Sequence, residues 1–402
     1  MKYTIGCVLA VRRHDHNNYG TSLQAYATIR VLQDAGYDVR IIRYNKHRGL
    51  IATVLALPEY LRAGGKTELL LRINRKLVSR FNHKFKTNNK IRNQAVEAFK
   101  EEIFEPLVDY YDGYPALKEG SKKYDICLVG SDQLWHPMGY ASGFYNLKFV
   151  DENVPKLAYA ASFGVSNIPE YQCEGTKDYL ERFDWISVRE TAGKKIVETL
   201  SNKKADFVCD PTMLLSKKQW QQFAEQSKKR IQKPYIFCYF LGKRPEIREE
   251  AAKLSKHTGL EIVFMRHVDE FIAMDDSFGN IAPYDVSPID FVNLLEHAEY
   301  VLTDSFHGTI FSIMLECKFI TFYRVQPNNT NSTHSRIDSL LNKFNLQERL
   351  FKFNRDIVEQ AKADIDFSFT RQVYKEFQAL SKNLLLTHID KAIKKKHCHN
   401  AK

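Results

Sequence analysis

No apolar run in this 402-residue chain approaches the roughly 20 residues that a bilayer-spanning helix needs. A helical membrane span is therefore not expected. Met1-Lys2-Tyr3-Thr4-Ile5-Gly6 runs straight into strand-like sequence, without the apolar stretch and small-residue cleavage site of a secretory signal. A cytoplasmic location is expected. The seven cysteines, Cys7, Cys127, Cys173, Cys209, Cys238, Cys317 and Cys398, contain no Cys-x-x-Cys pair, and their number is odd. A zinc site or iron–sulfur cluster is thus not expected, and most of these thiols should be reduced core residues. Fixed-period repeats and low-complexity tracts are missing too, as are Gly-x-Gly-x-x-Gly and the P-loop.

What is present is ordinary for a soluble globular chain: 44% hydrophobic and 27% charged residues. The length suits two domains better than one core. The charge is less ordinary. Of the net +11, +10 falls between Lys46 and Arg92, where six lysines and six arginines face only Glu59 and Glu68. Such a stretch is either a solvated basic face or a patch for an anionic partner. The partners expected for it are a lipid-linked, diphosphate-bearing acceptor or an anionic membrane at its inner face. No recognition motif accompanies the charge, so nucleic acid is not expected.

Strands and helices alternate along the chain. Tyr3–Val11 and Val39–Tyr44 read as strands, with an apolar-spaced helix at 21–35 between them that stops at Gly36. This is a βαβ unit, which predicts a parallel sheet. Further strands are expected at 124–129, 156–161, 185–188 and 206–209. A second series begins at Tyr235, with strands at 235–240, 261–265, 300–303 and 319–323. The organisation expected is an α/β chain of two Rossmann-like domains with parallel sheets facing a central cleft. Residues 1–215 form the N-terminal, acceptor-side domain, with a basic helical insertion at about 46–120. Residues 216–366 form the C-terminal, donor-side domain, and 367–402 a helix with a basic tail.

In open parallel sheets, ligands sit beyond the carboxyl ends of the strands. The loops after strands therefore carry the chemistry. The most informative is Thr303-Asp304-Ser305-Phe306-His307-Gly308-Thr309, a polar turn from a strand into an apolar helix. Asp304 or Ser305 suits the N-cap. The helix N-terminus attracts anions, and Gly308 leaves room for one to approach the backbone. His307, in the first turn, is placed to act as a general acid once an anionic substrate is bound. A second loop, Gly130-Ser131-Asp132-Gln133-Leu134-Trp135-His136-Pro137, offers Asp132 as a base for an acceptor hydroxyl and Trp135 as a surface for a sugar ring. A third, His16-Asn17-Asn18-Tyr19-Gly20, suits a phosphate or a sugar. Arg189, Arg324 and Arg336 are candidates for an anion's counter-charge. The loop 325–335, with Asn328, Asn329 and Asn331, looks like a lid.

These loops, in this order, resemble the polysaccharide pyruvyl transferase family. The resemblance rests on Asn18-Tyr19-Gly20, Gly130-Ser131-Asp132-Gln133-Leu134-Trp135 and Tyr159-Ala160-Ala161-Ser162-Phe163-Gly164. It continues through Ser187-Val188-Arg189-Glu190, Asp210-Pro211-Thr212 and Asp304-Ser305-Phe306-His307-Gly308, followed by Phe319-Ile320. It implies a GT-B-like fold and a pyruvyl transferase that uses phosphoenolpyruvate as co-substrate, needs no cofactor and takes a saccharide acceptor. The product is a pyruvate ketal of a capsule or exopolysaccharide. His307 and Asp132 are the expected catalytic residues. Ser305, Phe306, Gly308, Thr309, Arg189, Arg324 and Arg336 are expected at the donor. Asn17, Asn18, Gly20, Ser131, Gln133 and Trp135 are expected at the acceptor. Family members often carry Arg-Leu-His-Gly where this chain has Ser305-Phe306-His307-Gly308, and serine cannot form the bidentate pair an arginine makes with a carboxylate or phosphate. Either Arg189, Arg324 or Arg336 supplies that charge, or the donor differs. A GT-B-type glycosyltransferase using a nucleotide sugar, and a non-catalytic glycan- or membrane-binding relative, are the alternatives.

Overall fold

A computed structural model describes residues 2–11, 18–45, 82–267, 270–325 and 334–400, and a few single positions between 58 and 78. Asn17, most of the basic stretch with the anionic partners expected of it, and most of the lid-like loop 325–335 lie outside the described residues.

Two parallel sheets form the frame. The first has seven strands in the order β3-β2-β1-β4-β5-β6-β7: β1 Thr4–Val8, β2 Asp38–Asn45, β3 Val108–Asp112, β4 Ile126–Val129, β5 Lys156–Ala161, β6 Trp185–Val188 and β7 Ala205–Phe207. The second has four, in the order β11-β10-β8-β9: β8 Tyr235–Tyr239, β9 Glu261–Met265, β10 Tyr300–Thr303 and β11 Phe319–Thr321. Every strand pair is parallel. The cause is visible in the residues. Ile-Cys-Leu-Val in β4 and Trp-Ile-Ser-Val in β6 are buried at every position, as a sheet covered on both faces requires. Among the described residues, no helix is long and apolar enough to cross a membrane.

Strand order reverses between β1 and β4, and again between β8 and β10. At such points successive connections leave on opposite faces, so the loops beyond the strand ends part and leave a crevice. The two crevices meet. The Tyr19 hydroxyl at the start of the first helix (Tyr19–Asp34) donates to the Val286 carbonyl of the second unit at 3.2 Å. The next residue, Gly20, packs directly on the His307 ring, where a Cβ would lie 2.1 Å from Nδ1.

One expectation needs correction. The segment 46–120 is not a purely helical insertion, because it supplies β3, the outermost strand of the first sheet. Val-Asp-Tyr-Tyr-Asp lacks a buried strand's apolar run because an edge strand faces water on one side, and Tyr110 is 62% exposed. The terminal helix spans Phe367–Asn400. It runs back to the first sheet, where the Ser381 hydroxyl accepts the Cys209 amide at 3.0 Å and His388 stacks on Trp185 with ring centroids 4.7 Å apart.

Candidate active site

The turn after β10 is built by short-range hydrogen bonds. Ser305 is the N-cap of helix Phe306–Met314, and its hydroxyl accepts the Gly308 amide at 3.3 Å. Asp304 does something else. Its carboxylate accepts the amides of Leu241 (2.6 Å) and Gly242 (2.8 Å), tying the loop after β8 to the loop after β10. His307 is thereby fixed in the first helical turn, where it is 5% exposed and meets the N-terminal unit.

Facing it is a charge cluster centred on Arg189, whose side chain is wholly buried. Its Nη1 donates to Asp210 Oδ2 at 2.6 Å and to the Ser131 hydroxyl at 3.2 Å. Its Nη2 reaches Asp132 Oδ1 at 3.4 Å, and Glu190 lies 3.8 Å from Nε. His307 Nε2 lies 3.6 Å from the same Asp210 oxygen, within ion-pair range but beyond a hydrogen bond. Burial by itself would raise the Asp210 carboxyl. The charges of His307 and Arg189 and the Thr212 amide outweigh it and hold the group well below the usual carboxylate range. Asp132 is likewise held low: against burial act the charges of Arg189 and His307, the Thr21 hydroxyl at 2.7 Å and the Gln133 amide.

Asp132 differs from Asp210 in two ways. Its backbone is left-handed, with φ +77°, a strained state for a non-glycine residue that only a well-determined surrounding sustains. Its side chain is 21% exposed, against 1% for Asp210. Of the two, only Asp132 is open to solvent.

Arg189 and Arg336 both lie over the Phe306 ring, at 4.9 and 5.5 Å from its centroid. The ring's negative face offsets part of the repulsion between them. Arg336 is buried, forms no ion pair among the described residues, and its Nε has no hydrogen-bond partner there. Burial, and next the charge of Arg189, push it down to about 10. The nearby Arg324 also has a buried Nε without a partner. His136 faces this group from the loop after β4. Its Nδ1 accepts the Met138 amide at 3.2 Å, and burial together with the Arg336 charge lowers its pKa.

Several expected ligands turn out to have other duties. Trp135 is no sugar platform. It is buried against Phe163, Tyr179 and Phe183, and its indole N–H donates to the Tyr145 carbonyl at 3.0 Å. Gly308 clears Thr303 rather than a ligand, since a Cβ would sit 2.5 Å from Thr303 Oγ1. The Thr309 hydroxyl is engaged with the Ser305 carbonyl in its own helix turn and with the Thr321 hydroxyl of β11. The Asn18 side chain caps the first helix through the Gly20 amide, and Gln133 packs on Gly164. Ser131 is buried between Arg189 and Asp210. Arg189 already has three carboxylates within ion-pair range, although its Nε makes no hydrogen bond, whereas Arg336 and Arg324 have no ion pair among the described residues.

Four residues at the site were not singled out as ligands from the sequence: Asp210, Glu190, Thr21 and His136. Asp210 and Glu190 stood in the family-like segments, and that was their signal. Glu190 Oε1 accepts the Ser162 hydroxyl and the amides of Phe163 and Gly164, which explains why Ser-Val-Arg-Glu and Tyr-Ala-Ala-Ser-Phe-Gly occur together.

The family model described as polysaccharide pyruvyl transferase matches residues 18–324. The chain belongs to the polysaccharide pyruvyl transferase family. The match opens on Asn18 and closes on Arg324, so it takes in every loop above except Arg336. No curated protein matches the sequence. Solved structures of similar fold include a UDP-N-acetylglucosamine 2-epimerase from Rickettsia bellii (TM-score 0.50, 11% identity, 98% of each chain). Another is a Listeria monocytogenes protein assigned to the same activity (TM-score 0.51, 11% identity, 97% of this chain and 96% of that one). A third is an Arabidopsis thaliana protein complexed with UDP-L-rhamnose (TM-score 0.50, 8% identity, 98% and 99%). At these identities the likeness concerns the fold alone, which is GT-B-like: two Rossmann-like units around a shared junction.

Proposed function

We propose that this family member transfers pyruvate from phosphoenolpyruvate to a saccharide as a ketal, in the synthesis of a surface polysaccharide. The observation that carries this reading is Arg336: a buried guanidinium on the Phe306 ring, whose opposing charges, Glu190 and Asp132, form no ion pair with it among the described residues. Leaving a charge buried and unpaired is costly, and an anionic donor removes that cost. Arg336 supplies, on the Phe306 ring, a cation of the kind that Ser305 lacks.

The chemistry then follows from the groups present. Protonated His307 delivers a proton to the donor's methylene carbon. An acceptor hydroxyl, losing its proton to Asp132, bonds to the adjacent carbon. A second hydroxyl attacks that carbon, its proton goes to His307, and the carbon–oxygen bond to phosphate breaks. Asp132 returns its proton to the leaving phosphate. Both side chains end as they began, and the products are a ketal and inorganic phosphate.

A thermal-shift series checks the donor. Phosphoenolpyruvate is expected to stabilise the protein by about 2.7 kcal/mol at a hundredfold excess over Kd. Arg336→Met should remove that shift while leaving the unliganded protein folded. Stabilisation by a nucleoside diphosphate and none by phosphoenolpyruvate would instead favour a nucleotide-sugar glycosyltransferase.

A further inference from the structure

We propose that Asp210 is a positioning residue for His307: its carboxylate selects the imidazole tautomer with the proton on Nε2, leaving Nδ1 as the nitrogen that exchanges a proton with the reactants. The proton-transfer half of this statement rests on the reading of His307 above. The tautomer half does not.

The geometry is one-sided. His307 Nε2 is buried, and the group nearest to it among the described ion pairs is Asp210 Oδ2 at 3.6 Å. Such distances commonly tighten once a reactant is bound. The Asp210 carboxylate cannot rotate away, because Oδ1 is held by the Thr212 amide at 3.0 Å and the Thr212 hydroxyl at 2.7 Å. Oδ2 is thus fixed toward Arg189, Ser131 and His307. A carboxylate oxygen accepts and does not donate, so it favours a proton on the nitrogen it faces. The opposite nitrogen, Nδ1, lies on the side of Gly20, at the start of the first helix.

Arg189 has a second task in this arrangement. Bonded to the same oxygen at 2.6 Å, it offsets the carboxylate's charge and keeps Asp210 from taking the proton. The other charged groups facing the pair are Asp132 and Glu190 from the N-terminal unit and Arg336 from the C-terminal one. Asp210 follows β7 in the first sheet, whereas His307 follows β10 in the second. The pair therefore spans the junction of the two units, and the tautomer is fixed only while they are together.

The test is a long-range proton–nitrogen correlation spectrum of the full-length protein labelled with 15N-histidine, with the His307 signals assigned by their loss in His307→Gln. The neutral ring is expected as the Nε2–H tautomer. In Asp210→Asn, the one remaining oxygen is contested by the Thr212 amide and by Arg189 Nη1, and no carboxylate charge faces Nε2. The expected spectrum shows a smaller Nε2–H population, with kcat down by at least about tenfold and KM for phosphoenolpyruvate little changed. Asp210→Glu should restore the Nε2–H tautomer at least in part. A neutral Nδ1–H ring in the unmodified protein would overturn the proposal, as would an unaltered tautomer in folded Asp210→Asn. If Asp210→Asn does not fold, the spectrum of the unmodified protein decides. If phosphoenolpyruvate proves not to be the donor, the tautomer result stands and only its catalytic use falls.

Discussion

His307→Ala is expected to lower the rate of phosphate release from phosphoenolpyruvate by roughly 10²–10⁴-fold, the usual contribution of a positioned general acid. The protein should still fold, because the ring is held by Gly20 and Asp210 at a junction and not within either hydrophobic core. Donor binding should change little, since Arg336 and Arg324 remain. A steady-state assay gives kcat and KM separately, and circular dichroism confirms the fold. Activity within about twofold of the parent would show that the proton comes from elsewhere, with His136 the next group to replace.

Arg189→Met should act on stability more than on any other property. Arg189 is wholly buried among Asp210, Asp132 and Glu190, and removing one member of a buried ionic cluster typically costs about 3–5 kcal/mol. The midpoint of urea unfolding reads this loss. Its pH dependence has a definite sign. In the parent, Asp210 and Asp132 are held below their ordinary values. Their contribution is complete above the unfolded carboxylate value, about 3.9, and fades only as pH falls through it toward the lower folded values. Without Arg189, less opposes burial and the folded carboxyls rise, Asp132 most, since His307 is the larger opposing charge at Asp210. The variant should therefore lose less stability at pH 5 than at pH 8, because protonation relieves the repulsion. An equal loss at both values would mean that the cluster is not what Arg189 stabilises.

The strands of both sheets were legible because buried parallel strands are continuous apolar runs, as in Ile126–Val129 and Trp185–Val188. Val108–Asp112 was not, because its polar residues are those of a half-exposed edge. The last helix was legible as a helix. Its docking on Trp185 and Cys209 was not, since an amphipathic pattern shows that a face is buried but not against what. At the site, polar residues at strand ends marked the correct loops. Their roles were harder to read. Arg189 looked available for an anion because its strongest partner, Asp210, lies 21 residues away in sequence. Trp135 looked like a sugar platform because it stands in a loop with Asp132, Gln133 and His136, yet it points inward among aromatic rings. Ser305 in place of an arginine looked like a missing charge. In three dimensions Arg336, 31 residues later, lies on the adjacent Phe306 ring.

The central claim is that the junction around His307, Asp132 and Arg336 makes pyruvate ketals from phosphoenolpyruvate. Proton NMR of the protein incubated with phosphoenolpyruvate and saccharide acceptors, alongside a phosphate assay, tests it most directly. The account predicts a new ketal methyl singlet that grows in step with released phosphate and is lost in His307→Ala. With an acceptor whose binding has been demonstrated, the absence of both signals would contradict it.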